Sequence, residues 1–418
     1  MRIQTLLNRV HPLKSFVYSD CRLELHKAGL LLVSVILPRK NGKVLCSGCG
    51  KSRRLYDRLE KRRFEFVPIW NIPVQLEYRM RRVNCPGCGV KVEKVPWADG
   101  KSHTTKAFQL FLARWARKLS WKETAESFCT SWDTVFRSVK AIVAYGLAHR
   151  NLENITAIGV DEIQYGKGHQ YLTVVYQIDA GMRRLLFIGR ERTAKTLLKI
   201  FREFGNERCG RLQFVCSDMW KAYLKVIRKK APQALHVLDR FHIVQHLNKA
   251  VNQVRIDEVK QLKQDGYDEQ VLKHTKYCFL KNPENLTENQ AVKLDEVLSY
   301  DLKSVRAYQL KESFQFFWSY ASPYWAEWYL EKWCARAMRS RLEPIKSFVG
   351  TIRRHQPLIM NWFKAKKAYS SGVVEGLNRK VNLVTRKAYG FRSYEVLEIA
   401  LFHTMGELPE PEVTHRFC

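Results

Sequence analysis

No apolar stretch in this chain approaches the roughly 20 residues that a membrane-spanning helix needs. The most hydrophobic run, Ala28 to Pro38 (AGLLLVSVILP), falls far short of that and reads as a buried strand. A secretory pattern is missing from the opening residues MRIQTLLNRVHPLKSFVYSD, because Asn8, Arg9, His11 and Lys14 interrupt the apolar positions and no small-residue cleavage site follows. Internal repeats and low-complexity tracts are also missing, which sets aside repeat architectures and disordered chains. Acid is scarce: 40 Asp and Glu face 72 Lys and Arg, a formal net charge of +32 spread along 418 residues. The expected partner is a large polyanion, since neutralising phosphates releases counterions whatever the base sequence. Charge leaves the reaction open. With 46% hydrophobic residues the chain can bury a sizeable core, and its length suggests roughly two to four domains of a soluble intracellular protein.

Eleven cysteines suit a disulfide framework poorly, being odd in number with only four in a paired pattern. These four form Cys46-Ser47-Gly48-Cys49 and Cys85-Pro86-Gly87-Cys88, two C-x-x-C knuckles whose glycines let both thiolates of a pair turn toward one ion. One structural zinc held by Cys46, Cys49, Cys85 and Cys88 is the expectation, with unligated or redox cysteines as the alternative. The 35 residues between the knuckles are more than a compact finger has, and β-hairpins can fill them; Gly50 and Gly89 follow the two knuckles in the same register. A closed four-thiolate site leaves no position for catalysis. Between the knuckles lie Arg53, Arg54, Arg58, Lys61, Arg62, Arg63, Arg79, Arg81 and Arg82. They suggest a surface for DNA phosphates, against the plainer reading of a solvated face.

The stretch Pro96 to Lys101 (PWADGK) reads as a linker after short strands. From His103 to His149 apolar residues recur at helical spacing; Ser120-Trp121-Lys122-Glu123 matches a capping box and Ser131 offers a second cap, so three helices are expected. Ser120 to Val139 has the proportions of a helix-turn-helix whose second helix would present Ser131, Trp132 and Thr134 to base edges; two packed structural helices would look similar. From Ile155 three β-rich runs (ITAIGVDE, YLTVVYQID, RLLFIG) predict an antiparallel meander, and the following rhythm completes the order βββαβαβα up to about Leu262. Lys263 to Met338 reads as helical and rich in aromatics. A last helical region spans Ser370 to His403. The aromatics from Phe314 to Trp333 suggest either base stacking or a core.

Two-metal phosphodiester chemistry needs several carboxylates close together, since ions about 4 Å apart require anionic ligands between them. Acids that end apolar strands are the natural candidates: Asp161 after Ile158-Gly159-Val160, and Asp218 after Phe214-Val215-Cys216-Ser217. Either acid could instead cap a helix or turn. Glu162 is expected on the opposite sheet face from Asp161, and Asp179 closes a different strand. Asp239 rivals Asp218, because it too ends an apolar strand and begins Asp239-Arg240-Phe241-His242; a third acid is expected on a later helix, where Glu375 sits among small and basic residues. His242 is read as structural, or as meeting DNA or orienting the site.

At these residues the chain resembles the DDE transposases of bacterial insertion sequences, specifically the ISL-three group. The likeness rests on the two C-x-x-C pairs, the helical segment, Val160-Asp161-Glu162, Ser217-Asp218-Met219-Trp220-Lys221-Ala222-Tyr223, Val237-Leu238-Asp239-Arg240-Phe241-His242 with Gln245-His246-Leu247-Asn248, and Val374-Glu375-Gly376-Leu377-Asn378 followed by Thr385-Arg386-Lys387-Ala388-Tyr389-Gly390-Phe391. These motifs come in the family's order over nearly the whole chain. The resemblance implies an α/β protein: a zinc-ribbon-like domain over 1–100, a helix-turn-helix segment over 101–150, an RNase H-like mixed-sheet core over 151–262, a helical insertion over 263–340, and a C-terminal part of the core over 341–418. It also implies two catalytic magnesium ions on Asp161, Asp218 and Glu375, and singles out Glu375, which spacing alone does not. One ion would activate water to cut a transposon end, after which the 3′-hydroxyl attacks target DNA. Double-stranded DNA is the implied partner, with Arg386 and Lys387 among the contacts, at least two copies acting together, and a bacterial cytoplasmic, nucleoid-associated location. The rivals are a transposase-derived DNA-binding regulator without catalysis, against which all three acids are present, and a related nuclease that cuts without joining.

Overall fold

The computed structural model describes residues 2–26, 29–166, 168, 170–365, 371–388, 390–391 and 393–412. Ala28, Ser370, Tyr389 and residues 413–418, which fall in stretches read above, lie outside them. The chain divides into two compact units, Met1–Asn151 with Val381–Cys418, and Leu152–Lys380. Among the described residues no helix is long and apolar enough to cross a membrane.

The first unit begins with α1 (Ile3–Val10), β1 (Phe16–His26), β2 (Gly29–Pro38), β3 (Leu55–Ile69), β4 (Ile72–Cys85) and β5 (Gly89–Val92). Its sheet runs β1-β2-β4-β3, with β5 on β4. The strands are longer than expected, β3 and β4 having 15 and 14 residues. The alternation explains this: Val74, Leu76, Tyr78 and Met80 all turn inward from β4. Trp70 and Asn71, both at positive φ (51° and 64°), make the two-residue turn between these strands. The expected linker is anchored instead. Trp97 is buried edge-on against Phe16, Tyr78 and Phe64, with centroids 5.0, 5.2 and 6.0 Å away, so Pro96 and Gly100 end the strand while the indole completes the core.

Three helices follow, α2 (Lys106–Lys118), α3 (Trp121–Ser127) and α4 (Trp132–His149). Their starts follow from side-chain chemistry: Thr105 and Ser131 cap α2 and α4, and Ser120 with Glu123 forms the full capping box of α3.

The second unit opens with the meander β6 (Ala157–Gln164), β7 (Tyr171–Asp179) and β8 (Met182–Arg190), then α5 (Ala194–Phe204), the short α6 (Asn206–Arg211), β9 (Phe214–Ser217), α7 (Lys221–Lys230), β10 (Leu235–Leu238) and α8 (Arg240–Gln264). Its sheet order is β10-β9-β6-β7-β8, with β9 parallel to β6 and β10 parallel to β9. Leu197, Ile200, Phe201 and Phe204 of α5 share one helical face and pack with Val175 and Phe187 of the sheet. A second core gathers α8 with α9 (Lys276–Leu280), α10 (Glu288–Leu298), α11 (Lys303–Gln315), α12 (Pro323–Met338) and α13 (Glu343–Lys364). The aromatic run divides here: Phe314, Phe317, Trp318 and Trp333 are buried, whereas Phe316, Tyr324, Trp325 and Trp328 are exposed.

α14 (Ser371–Lys387) carries Glu375, and α15 (Tyr394–Met405) ends the helices of the first unit. His403 of α15 is buried, and desolvation first, then the charge of Arg117, lowers its pKa to about 3. A histidine kept neutral by folding contributes stability above its unfolded pKa of about 6.5, and that contribution is lost as pH falls through the window down to about 3. The first unit therefore loses stability below pH 6.5, by up to about 1.4 kcal/mol per pH unit, and His403→Leu flattens that dependence. Melting curves at pH 7 and pH 5 check this; equal acid sensitivity in wild type and variant would refute it.

Candidate active site

Three aspartates stand side by side at the carboxyl edge of three adjacent parallel strands. The β6–β9 ladder pairs Ile158 with Val215 and Gly159 with Cys216; Asp161 lies two residues further along β6, and Asp218 follows the last residue of β9. The β9–β10 ladder pairs Ser217 with Leu238, and one more step sets Asp239 opposite Asp218. The Asp239 amide donates to the Ser217 carbonyl at 2.9 Å, continuing that ladder. Apolar residues bury the strands; Asp218 and Asp239 directly follow β9 and β10, whereas Asp161 lies within β6 after its buried first half.

Each carboxylate has a partner within the chain. Asp161 Oδ2 accepts from Asn378 Nδ2 at 2.5 Å, and Asp161 Oδ1 lies 3.8 Å from His242 Nε2. Asp239 Oδ2 is also 3.8 Å from that nitrogen, while Asp239 Oδ1 caps α8 through the Phe241 amide at 2.7 Å. Asp161 first, then Asp239, raise the His242 pKa to about 9 against desolvation, so the imidazole is cationic at neutral pH. Asp218 Oδ1 accepts from the Trp220 amide at 3.0 Å, and Oδ2 lies 3.2 Å from Arg192 Nη2. Arg192 also meets Glu162 at 2.5 Å and lies over the Trp220 ring, 4.8 Å from its centroid. Burial first, then the charge of Asp218, raises the Glu162 pKa to about 7. Asp179 is occupied elsewhere, accepting from Thr156 and Gln177.

Glu375 pairs with Arg379 one helical turn on, at 2.7 Å. Its helix meets the Asp161 strand through two residues that sequence reasoning did not single out. Asn378, three positions after Glu375 and so on the same helical face, donates to Asp161 and accepts from the Tyr176 hydroxyl at 2.9 Å. Gly159 lets the helix approach: a Cβ there would stand 2.5 Å from Cγ2 of Val374, the residue before Glu375. Gly159→Ala is therefore expected to push α14 off β6 and to lower stability by about 1–3 kcal/mol. Unchanged melting in the variant would contradict the close packing.

Among the described residues, the group that can close on an ion is Cys46, Cys49, Cys85 and Cys88, whose sulfurs all lie within 4.8 Å of one another. Tetrahedral zinc–thiolate bonds imply sulfurs roughly 3.8 Å apart, which this cluster fits. The Cys49 and Cys85 sulfurs are 3.6 Å apart. The left-handed turns belong to Gly50 and Gly89, at φ 69° and 72°, rather than to the glycines inside the knuckles. Asp161, Asp218 and Glu375 do not form such a group; Arg192, His242, Asn378 and Arg379 hold them instead.

The basic residues between the knuckles are mostly engaged. Arg81 corrects the expectation of a DNA contact: it is buried and binds Glu93 through Nε and Nη2 at 2.9 and 2.7 Å, because β4 turns it inward beside Tyr78. Arg63 pairs with Glu24 and Glu77, Lys61 with Glu77, Arg82 with Asp57; Arg62 donates to the carbonyls of residues 100–102, and Arg53 to Cys85 Sγ. On α4, Ser131 serves as the cap and shares a 2.9 Å hydroxyl contact with Thr134, while Trp132 is partly exposed and stacked on Phe136. Arg386 is exposed, and Lys387 donates to the Arg117 carbonyl at 3.1 Å.

The chain has counterparts among known sequences. Residues 158–401 match a family described as transposase. The chain belongs to that family, the ISL-three group of DDE transposases. It is 30% identical to the transposase for insertion sequence element IS1557 of Mycobacterium tuberculosis, covering 95% of this chain and 94% of the relative. It is 28% identical to the transposase for insertion sequence element IS1001 of Bordetella parapertussis, covering 87% of this chain and 89% of that one.

Proposed function

We propose that this transposase binds the ends of its element, cuts phosphodiester bonds there and joins the freed 3′-hydroxyl to target DNA, with Asp161, Asp218 and Glu375 as the metal-binding acids. The observation that carries this reading is the placement of Asp161 in β6 and of Asp218 just past the adjacent parallel β9, with Asn378 drawing the Glu375 helix to Asp161. Asp161 and Asp218 offer the carboxylate oxygens that a hard cation such as magnesium takes, and Glu375 would have to leave Arg379 to join them. When bound, magnesium supplies the Lewis acidity that in-line displacement at phosphorus requires. The residues of the chain do the rest: Asn378 orients the Asp161 carboxylate, and Arg192 holds Asp218 while leaving room beside it.

The strand order β10-β9-β6-β7-β8 supports an RNase H-like core over 151–262, completed by residues 341–418, with the helices of 263–340 as its insertion. Residues 1–100 would form a zinc-stabilised DNA-binding domain, and 101–150 a helix-turn-helix presenting Ser131, Trp132 and Thr134. Arg53, Arg54, Arg62, Arg63 and Arg82, with Arg386 and Lys387, would add phosphate contacts. Of the five between the knuckles, Arg54 has no side-chain partner among the described residues. Two ends must be held together to be joined, so at least two copies act at once, at the nucleoid. The test incubates the purified protein, magnesium and a labelled duplex carrying the terminal repeat that flanks its gene. Nicked ends and joined products are expected; end binding with neither product would mark a non-catalytic regulator, and cutting without joining a nuclease.

A further inference from the structure

Beside Asp218 lies a cavity of about 280 Å³. Its walls include Lys221, His246, Thr351, Arg354 and His355, with Asp218 at one side. Asp218 is the one acid among its lining residues, and both its carboxylate oxygens are taken by Trp220 and Arg192. Lys221 and Arg354 are exposed, and neither side chain makes an ion pair or hydrogen bond to a described residue. Lys221 is the first residue of α7, a ten-residue helix with no acid in its first turn and no side-chain cap. A cation there opposes the helix dipole, so its placement does not serve the helix. The same helix end directs uncapped backbone amides toward an anion. Desolvation first, then the charges of Arg354 and Lys221, lowers the pKa of the buried His355 ring, and all three basic side chains line one space. A negative ligand relieves that crowding.

We propose that this cavity is a subsite for a backbone phosphodiester flanking the one to be cut, held by Lys221 and Arg354. The inference rests on reading Asp218 as part of the cleavage site. Lys221 and Arg354 are positioning residues: they neutralise the neighbouring phosphate and so set which bond of the strand reaches the carboxylates. Thr351, on the same face of α13 as Arg354, also lines the space, its hydroxyl donating to the Ser347 carbonyl at 3.3 Å.

The experiment is a scan of a terminal-repeat duplex in which each phosphate near the cut is replaced in turn by an uncharged methylphosphonate, with binding followed by fluorescence anisotropy in the absence of divalent metal. At one position flanking the cut, wild-type protein is expected to lose about tenfold in affinity. The Lys221→Ala, Arg354→Ala double variant should lose about tenfold on the unmodified duplex and nothing further at that position, because the same contact is already gone. Its salt dependence should fall by roughly 0.9 in logarithmic slope for each contact removed. The Lys221→Arg, Arg354→Lys pair should recover most of the affinity, which separates loss of charge from loss of fold. Additive losses at every position overturn the subsite, as does unchanged affinity in the double variant. Competition by inorganic phosphate that disappears in the variant without any coupling to the duplex assigns the cavity to free phosphate and overturns it too. A chain that shows the coupling but does not cut refutes the catalytic reading alone; one that cuts without the coupling refutes the subsite alone.

Discussion

Replacing Asp161, Asp218 or Glu375 by alanine is expected to lower magnesium-dependent strand cleavage by at least about a thousandfold while end binding remains measurable. Asp218 lies just past the end of β9, and neither Asp161 nor Asp218 is one of the buried core residues, so their loss removes a ligand without opening the core. Each variant removes one partner: Asn378 keeps Tyr176 after Asp161→Ala, Arg192 keeps Glu162 after Asp218→Ala, and Arg379 loses its ion pair after Glu375→Ala. Arg379 is exposed and loses little. Asp239→Ala is the informative control, because Asp239 shares the edge with Asp218 and the imidazolium of His242 with Asp161. Its capping bond to Phe241 predicts a stability loss of about 1 kcal/mol with cleavage retained. If Asp239→Ala abolishes cleavage and Asp218→Ala does not, the second ligand is Asp239.

Removing zinc should have the largest effect on the first unit. The purified protein is expected to carry one zinc per chain, and a strong chelator, or Cys46→Ser with Cys85→Ser, should release it. Around the cysteines the buried apolar residues are few, essentially Val83 with the sulfurs of Cys46 and Cys85, so little besides the ion would hold β5 and the knuckles in place. Structural zinc sites contribute about 10–16 kcal/mol to folding in small fingers. Hydrogen exchange should therefore accelerate sharply over residues 44–55 and 83–93, with slower change in the aromatic core around Trp97. Specific end binding should fall with it. A zinc-free preparation with the same exchange pattern, or an unaltered double variant, would dismiss the metal.

What could be read from residues alone was what depends on neighbours in sequence. Ser120 and Ser131 start helices through atoms three positions away, and Asp161, Asp218 and Asp239 announce themselves by ending apolar runs. The meander and the parallel strands after it follow from the same alternation. Pairings across the chain were not legible. Asn378 meets Asp161 from far along the sequence, and Gly159 is small for the sake of Val374. Counting arginines did not reveal that Glu93 had already claimed Arg81, nor did Pro96 and Gly100 reveal that Trp97 between them belongs to a core.

The first unit takes residues from both ends of the chain, and this bears on its synthesis. Glu410 pairs with Arg114 and Arg117, Glu395 with Lys140, and Leu408 packs where Gly146 leaves space on α4. While the ribosome is still translating the second unit, α2 and α4 lack these partners. Domains whose residues are contiguous can fold as they emerge. The continuous stretch Leu152–Lys380 has that opportunity, whereas the unit begun first is finished last. A message broken before codon 395 therefore yields a product whose α4 face is left bare, an aggregation-prone fragment rather than a smaller working protein.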